Sequence, residues 1–383
     1  MTSSSTPYWR LSSFYFFYFA SLGALVPYWS LYLKNLNFSA LEIGQLFAIL
    51  AGTKIIAPNI WGWIADHTGK GMRIIRLLSL VAAVCFIGVF FAITFWWLVL
   101  VMVAFSFFWN ASLPLFEANT LNHLGEHSHQ YSQIRVWGSM GFILAVAGLG
   151  YCFEYLTIDI LPWIILALFV AIWLSSLLAP EHEKQHVDHD VGSFTKVLFQ
   201  WPVIALLLMC FLQQASHAPY YTFFTIYMED NGYSKSLIGQ LWALGVIAEI
   251  GLFLLFPTLL LSIGAGWLLL VTFAITVVRW LLIGFFADSL ILIVAAQLLH
   301  AASYGSFHLT AIALIHRYFK GSHQGRGQAL YASLSFGGGG AVGSLISGIL
   351  WESYSPVFVF AMASIAALMS FIIALFSLKT FNA

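Results

Sequence analysis

Charge is what this chain has least of: of its 383 residues, only 8% are Asp, Glu, Lys or Arg. A soluble globular chain carries about a quarter, so most of this surface cannot face water. The charges present cancel, 15 basic against 15 acidic, leaving no bulk field to attract nucleic acid or acidic partners. Nucleic-acid binding is excluded. Cysteine is also scarce: Cys85, Cys152 and Cys210 are scattered through apolar segments, without the spacing of a disulfide framework or a metal knot. No zinc-type His/Glu pattern, nucleophile elbow or phosphate loop occurs in a workable context, so the chain does not read as an enzyme. The glycines at 337–340 lie in an apolar span, which suits close helix packing or bending rather than phosphate.

What is abundant is apolar length. The chain is 61% hydrophobic, with 35 Phe, 15 Trp and 16 Tyr, and its mean hydropathy is +0.90. Stretches of roughly 20 residues, the length a bilayer demands, recur at 11–33, 41–64, 74–94, 96–121, 132–153 and 161–179. A second set follows at 201–228, 237–260, 265–286, 290–315, 327–350 and 357–378. The reading is an all-α membrane protein of twelve transmembrane helices. It has a six-helix half at 1–180, a polar linker at 181–199 and a second six-helix half at 200–383. The linker's His182, His186 and His189 have a spacing compatible with a metal on a helix. In so acidic a tract they read as solvated, and no metal is expected.

The basic residues give an orientation. Arg10, Lys70, Arg73, Arg76, Lys184, Lys196, Arg317, Lys320, Arg326 and Lys379 share one side, against Lys34 and Lys235 on the other. By the positive-inside rule both termini are cytoplasmic, in a bacterial-type inner membrane. There is also an internal repeat: FSALEIGQLFAILAGTKI from Phe38 matches YSKSLIGQLWALGVIAEI from Tyr233 at a shift of 195 residues. The same register aligns Ala20-Ser21 with Ala215-Ser216 and Tyr32 with Tyr227. Similar segments in the same orientation half a chain apart mean parallel repeats, as in two-halved transporters.

After the second span comes Gly62-x-x-x-Asp66-x-x-Gly69-Lys70-x-x-Arg73. Gly62 would allow close helix approach, Asp66 would pair with a cation or a helix N-terminus, and Gly69 would permit a tight turn. The pattern resembles the helix 2–3 loop signature of the major facilitator superfamily, which implies that fold, with pseudo-symmetric halves and a conformational latch at this loop.

Ionisable residues inside the spans are few: Lys54, Glu117, Arg135, Glu249 and Arg279, with His217, His300 and His308. A charge at mid-bilayer costs about 3 kcal/mol or more, so each is a functional candidate; a buried pair that only fixes helix packing is the alternative. The segments around Asn110-Ala111-x-x-Pro114-x-x-Glu117-Ala118 and Arg135-x-x-Gly138-x-x-Gly141 resemble helices 4 and 5 of the lactose permease family. The resemblance implies that Glu117 and Arg135 bind substrate together, with Phe142 where that family stacks a Trp on the sugar. Nearly the whole chain resembles the 3-phenylpropionate permease family. The shared features are Arg135-x-Trp137-Gly138-Ser139, the run Gln214 to Tyr221 containing His217, Gly239 to Glu249, Val278-Arg279-Trp280, and Gln297-Leu298-Leu299-His300 with His308 beyond; a second-helix cation, Lys54, also fits. Tyr28, Trp29, Tyr220, Tyr221 and Phe142 are open to a pocket-lining or a packing role.

These resemblances imply a secondary transporter that couples a proton to uptake of a small organic acid. Lys54, Glu117, Arg135, Phe142, His217 and Tyr221 would meet substrate, while Glu249, Arg279, His300 and His308 would handle the proton. A sugar or nucleoside symporter fits the Glu117–Arg135 pair equally, and a non-transporting solute receptor is the reading from another class. No cofactor beyond the proton is expected. The expected partners are the small-molecule substrate and the lipid bilayer, with no obligate protein partner and a monomeric state.

Overall fold

The computed structural model describes residues 7–91, 94–181 and 194–382; most of the expected linker, including its three histidines, lies outside the described residues. Twelve helices are long and apolar enough to cross a membrane: α1 Tyr8–Asn35, α2 Ala40–Thr68, α3 Gly71–Phe90, α4 Phe95–Leu124, α5 Tyr131–Cys152 and α6 Ile158–Leu178. The second set is α7 Trp201–Asp230, α8 Lys235–Ile263, α9 Ala265–Phe285, α10 Leu290–Tyr318, α11 Gln324–Ser353 and α12 Pro356–Asn382. Each falls on one of the twelve expected spans, and no strand occurs among the described residues. An even number of crossings puts both termini at one end of the bundle, hereafter the terminal end.

Local chemistry sets the element boundaries. α2 opens with a reciprocal cap: Ser39 Oγ accepts from the Glu42 amide at 3.2 Å, and Glu42 returns a carboxylate oxygen to the Ser39 amide at 2.9 Å. At the matching place in the repeat, Ser234 Oγ accepts from the Leu237 amide and opens α8. α2 closes on Gly69, whose φ of +64° is the left-handed conformation that favours glycine. Two helices carry π turns, Ala301–Ser306 in α10 and Ser333–Gly339 in α11. The latter contains most of the glycine run, which lets α11 lie against two neighbours. A Cβ at Gly337 would meet Ile55 of α2 at 2.6 Å, and one at Gly339 would meet the Phe211 carbonyl of α7 at 2.4 Å.

The two halves meet most tightly at the end opposite the termini. α2 crosses α11 where Gly44 faces Gly348, so that a Cβ on Gly44 would lie 2.7 Å from the Gly348 Cα. α5 crosses α8 where Gly150 faces Gly239, and the Tyr28 hydroxyl, donating to the Val146 carbonyl at 2.6 Å, fills the notch between them. Each crossing is clasped by a carboxylate from one half accepting a first-turn amide of the other. Glu352 takes the Leu41 amide at 3.0 Å, and Glu154 takes the Ser236 amide at 2.7 Å. Leu41 and Ser236 stand 195 residues apart, so the clasps follow the repeat. Lys34 of α1 also reaches Asp230 and Glu229 of α7.

Toward the terminal end the halves separate. Partway along α2 the halves still touch, where Asn59 donates to Ser333 of α11 at 3.1 Å. Beyond Glu249, residues 251–263 of α8 are exposed on nearly every face, with Phe256 the buried exception. The bundle is closed at one end and open at the other. The open end explains one correction. Gly62, expected to admit a close helix, has nothing within 4 Å of its Cβ position, because its segment of α2 is splayed from the opposing half. Asp66, Gly69, Lys70 and Arg73 lie exposed there, and Arg76 instead ties α3 to the end of α6, donating to the Ser176 and Ala179 carbonyls.

Gly44→Trp is expected to hold the α2–α11 crossing open, out to an interaxial distance of roughly 8–10 Å or more. Pulsed electron–electron distance measurements between labels on the α1–α2 and α11–α12 loops would show the lengthening; an unchanged distance would refute the role given to this contact.

Candidate functional site

Side chains of the first half form an open ionic site. Glycines place α5 on α1: a Cβ at Gly141 would run into the Phe16 carbonyl at 2.1 Å, and one at Gly138 would strike the Phe19 ring at 2.7 Å. Bare backbone at Gly138 therefore leaves room for Arg135, whose guanidinium carbon sits 3.8 Å from the Phe19 ring centroid. Arg135 Nε is 3.9 Å from Glu117 Oε1, and the Tyr131 hydroxyl donates to that same oxygen at 3.2 Å. Both charged side chains remain about a third exposed, so each has hydrogen-bonding capacity left for a solute. On α2, Thr53 is held by Ser106 and by Asn110, which also donates to the Leu50 carbonyl. The next residue, half-buried Lys54, has no ion-pair or hydrogen-bond partner among the described residues.

The second half holds a drier cluster. Gly245 leaves space on α8 for the His300 ring of α10, 3.2 Å from where its Cβ would stand. His300 Nε2 comes within 3.6 Å of Glu249 Oε1, with both side chains nearly buried. Arg279, wholly buried on α9, donates to the Ala296 carbonyl at 2.9 Å and to Ser303 Oγ at 3.3 Å. Its guanidinium carbon stands 4.4 Å from the Tyr220 ring and 4.5 Å from the Trp280 ring. The Tyr220 hydroxyl donates to Gln297 at 2.8 Å. Along α10 the rings of His300, Tyr304 and His308 stack nearly parallel, 5.4 and 6.1 Å between centroids; the wider π turn between them supports that alignment. His308 Nδ1 pairs with the Tyr331 hydroxyl at 2.9 Å. The charges of Arg279 and, from the first half, Arg135 both act on Glu249, and that of Arg135 also on Tyr304 and His308, so the two sites face one another across the space between the halves.

The MFS_1 like family is matched over residues 8–362. The chain belongs to it. A probable 3-phenylpropionic acid transporter of Escherichia coli (strain K12) is 30% identical over 92% of this chain and 93% of that protein. Maltose permease of Geobacillus stearothermophilus is 27% identical over 96% and 93%. The crystal structure of the nucleoside transporter NupG superposes with a TM-score of 0.81 at 18% identity, covering 97% of this chain and 98% of that one. These relatives are transporters, and the fold is that of the major facilitator superfamily.

In this MFS_1 like chain the fold brings together Glu117 with Arg135, Glu249 with His300, and His217 with Tyr221, whose ring centroids are 6.2 Å apart. Arg279 gives its hydrogen bonds to a carbonyl and a serine while its charge acts on Glu249, whose carboxylate lies 3.6 Å from the His300 imidazole. Phe142 is buried in the core, its carbonyl against Gly23 of α1. Of the aromatic pocket candidates, Trp29 is packed against Tyr32 and Phe86, and Tyr28 belongs to the closed end. Tyr15, Phe19, Tyr131 and Tyr304 were not singled out by sequence. Tyr304 had a signal, four residues from each histidine; the others are hidden among many aromatics.

Tyr220→Phe removes the hydroxyl that serves Gln297 and leaves that buried amide without its partner. A loss of about 1–3 kcal/mol is expected, read as a lower thermal midpoint when unfolding is followed by labelling of buried Cys210. An unchanged midpoint would show that the bond contributes nothing.

Proposed function

We propose that this chain is a secondary active transporter that takes up a small organic acid of the aryl-propionate type together with a proton, by alternating access. The observation that carries the reading is the pair of facing sites. An open Glu117–Arg135 site offers a cation for a carboxylate, and unpaired Lys54 on α2 is a second. Across from it, Glu249 and His300 form a nearly dry carboxylate–imidazole pair, suited to gaining and losing a proton as access changes. The name of the E. coli relative supports the substrate class. The basic residues at the terminal end support a cytoplasmic position for that end in a bacterial inner membrane, so the conformer described above is open to the cytoplasm. No enzymatic step, cofactor or protein partner enters the proposal, and the working unit is a monomer.

A sugar or nucleoside remains a second reading, because the Glu117–Arg135 pair can also bind hydroxyls and maltose permease is among the relatives. Purified protein screened by thermal shift separates them, since a ligand at a hundredfold excess over Kd stabilises the state it binds by about 2.7 kcal/mol. Stabilisation by aryl acids, absent in Arg135→Ala, is expected; stabilisation by sugars or nucleosides alone overturns the acid reading. In proteoliposomes, Glu249→Gln is expected to abolish proton-driven accumulation while leaving counterflow exchange measurable. Accumulation at the wild-type level would sink the assignment of Glu249, and binding without any uptake would favour a receptor.

A further inference from the structure

The second half contains buried polar atoms with no hydrogen-bond partner among the described residues. His217 is wholly buried on α7, and its Nδ1 lies 2.8 Å from the Gln213 carbonyl. A carbonyl can only accept, so Nδ1 carries the hydrogen. In the neutral ring Nε2 is then a bare lone pair, and it has no partner. Arg279 Nη2, an obligate donor, is also unpartnered and wholly buried. The two side chains share a neighbour: the Trp280 ring lies 4.8 Å from the imidazole and 4.5 Å from the guanidinium carbon. Native proteins leave few buried polar groups unpaired. An acceptor and a donor orphaned beside one indole mark a place where something else completes the bonding.

The chemistry of that something is constrained. A carboxylate would answer Arg279 but would set its lone pairs against that of His217. An ammonium would answer His217 but oppose the guanidinium. A hydroxyl accepts from one and donates to the other. The approach is aromatic: half-buried Tyr221 and Tyr304 stand 6.2 and 6.0 Å from the imidazole and meet edge to face at 6.4 Å, so a flat ring brings the hydroxyl in only when that contact opens.

We propose that the cluster of His217, Arg279, Trp280, Tyr221 and Tyr304 is a hydroxyl subsite, and that the preferred solutes are ring-hydroxylated aryl acids rather than the unsubstituted acid. The inference rests on the aryl-acid reading above. It also fixes the substrate's orientation, with the acid end toward Lys54 and Arg135 and the phenol end in the second half. An unsubstituted phenyl ring would leave both orphans unpaired, and sites built to hydrogen-bond a hydroxyl discriminate strongly against analogues lacking one.

Isothermal titration of the purified full-length protein tests this with 3-phenylpropionate, its hydroxyphenyl isomers and the corresponding methoxyphenyl compounds. At least one hydroxylated isomer is expected to bind 10-fold or more tighter than the parent. The methoxy compounds, which can accept but not donate, are expected to show no such gain. In His217→Phe the ratio of hydroxylated to parent affinity should fall to near one, and His217→Gln, which keeps an acceptor, should restore part of it. Because a ratio within one variant is read, a general weakening does not mimic the result. If parent and hydroxylated acids bind wild type equally, the orphans are completed by water and the inference fails while the aryl-acid reading stands. A gain that survives in His217→Phe also overturns it. If no aryl acid binds, the functional reading fails and takes the subsite with it.

Discussion

An ionisable side chain inside a bilayer has to find its partner within the bundle or face a water-filled space, and this requirement organises the whole molecule. The first half meets it with an open site: Glu117 and Arg135 stay about a third exposed, and Arg135 lies on the face of Phe19. The second half meets it by enclosure. Arg279 is wholly buried and held by a carbonyl, a serine and two aromatic faces, while Glu249 looks to His300. The repeat sharpens the contrast, because a shift of 195 residues places Lys54 over Glu249. One architectural position carries a cation in one half and a carboxylate in the other. Duplicated backbone thus presents complementary chemistry from its two copies.

Much of this was legible in the sequence, for identifiable reasons. Span positions follow from hydrophobic length, which the bilayer thickness dictates. The pairing of Glu117 with Arg135 was readable from the resemblance to the lactose permease segments, and the glycines at 138 and 141 of the same motif let α5 lie on α1 beside it. Other features depend on contacts that no local pattern encodes. Glu352 and Leu41 are 311 residues apart, and only the assembled halves bring that carboxylate to that amide. Gly62 fits a close-approach motif, but the open terminal end leaves it without a neighbour. Arg279 looked like the obvious partner for Glu249 on charge alone. The structure adds that Arg279 also donates to Ser303, while the His300 imidazole stands 3.6 Å from the carboxylate. The stacking of His300, Tyr304 and His308 involves a π turn that sequence spacing does not announce.

The closed end shows how such a molecule can keep two arrangements within reach of each other. Its contacts include glycine-on-glycine backbone approaches and carboxylates capping helix amides, each present twice, beside the Lys34 ion pairs and a buried apolar cluster shared by both halves. Dispersion contact between bare backbones falls steeply once the helices separate by a fraction of an ångström, so a crossing such as Gly44–Gly348 is either made or lost. The caps are partly solvent-exposed, and hydrogen bonds that exchange with water contribute only about 0.5–1.5 kcal/mol net. Both terms are modest in size and abrupt in distance dependence. A ligand shifts an equilibrium only by its differential affinity for the two states, so the end opens only when other contacts replace these. Because α2 and α8 each carry a gate glycine and, ten residues on, Lys54 or Glu249, a rigid tilt that breaks the gate also moves the charged site. Opening the end and changing the surroundings of the buried charges are therefore one mechanical event.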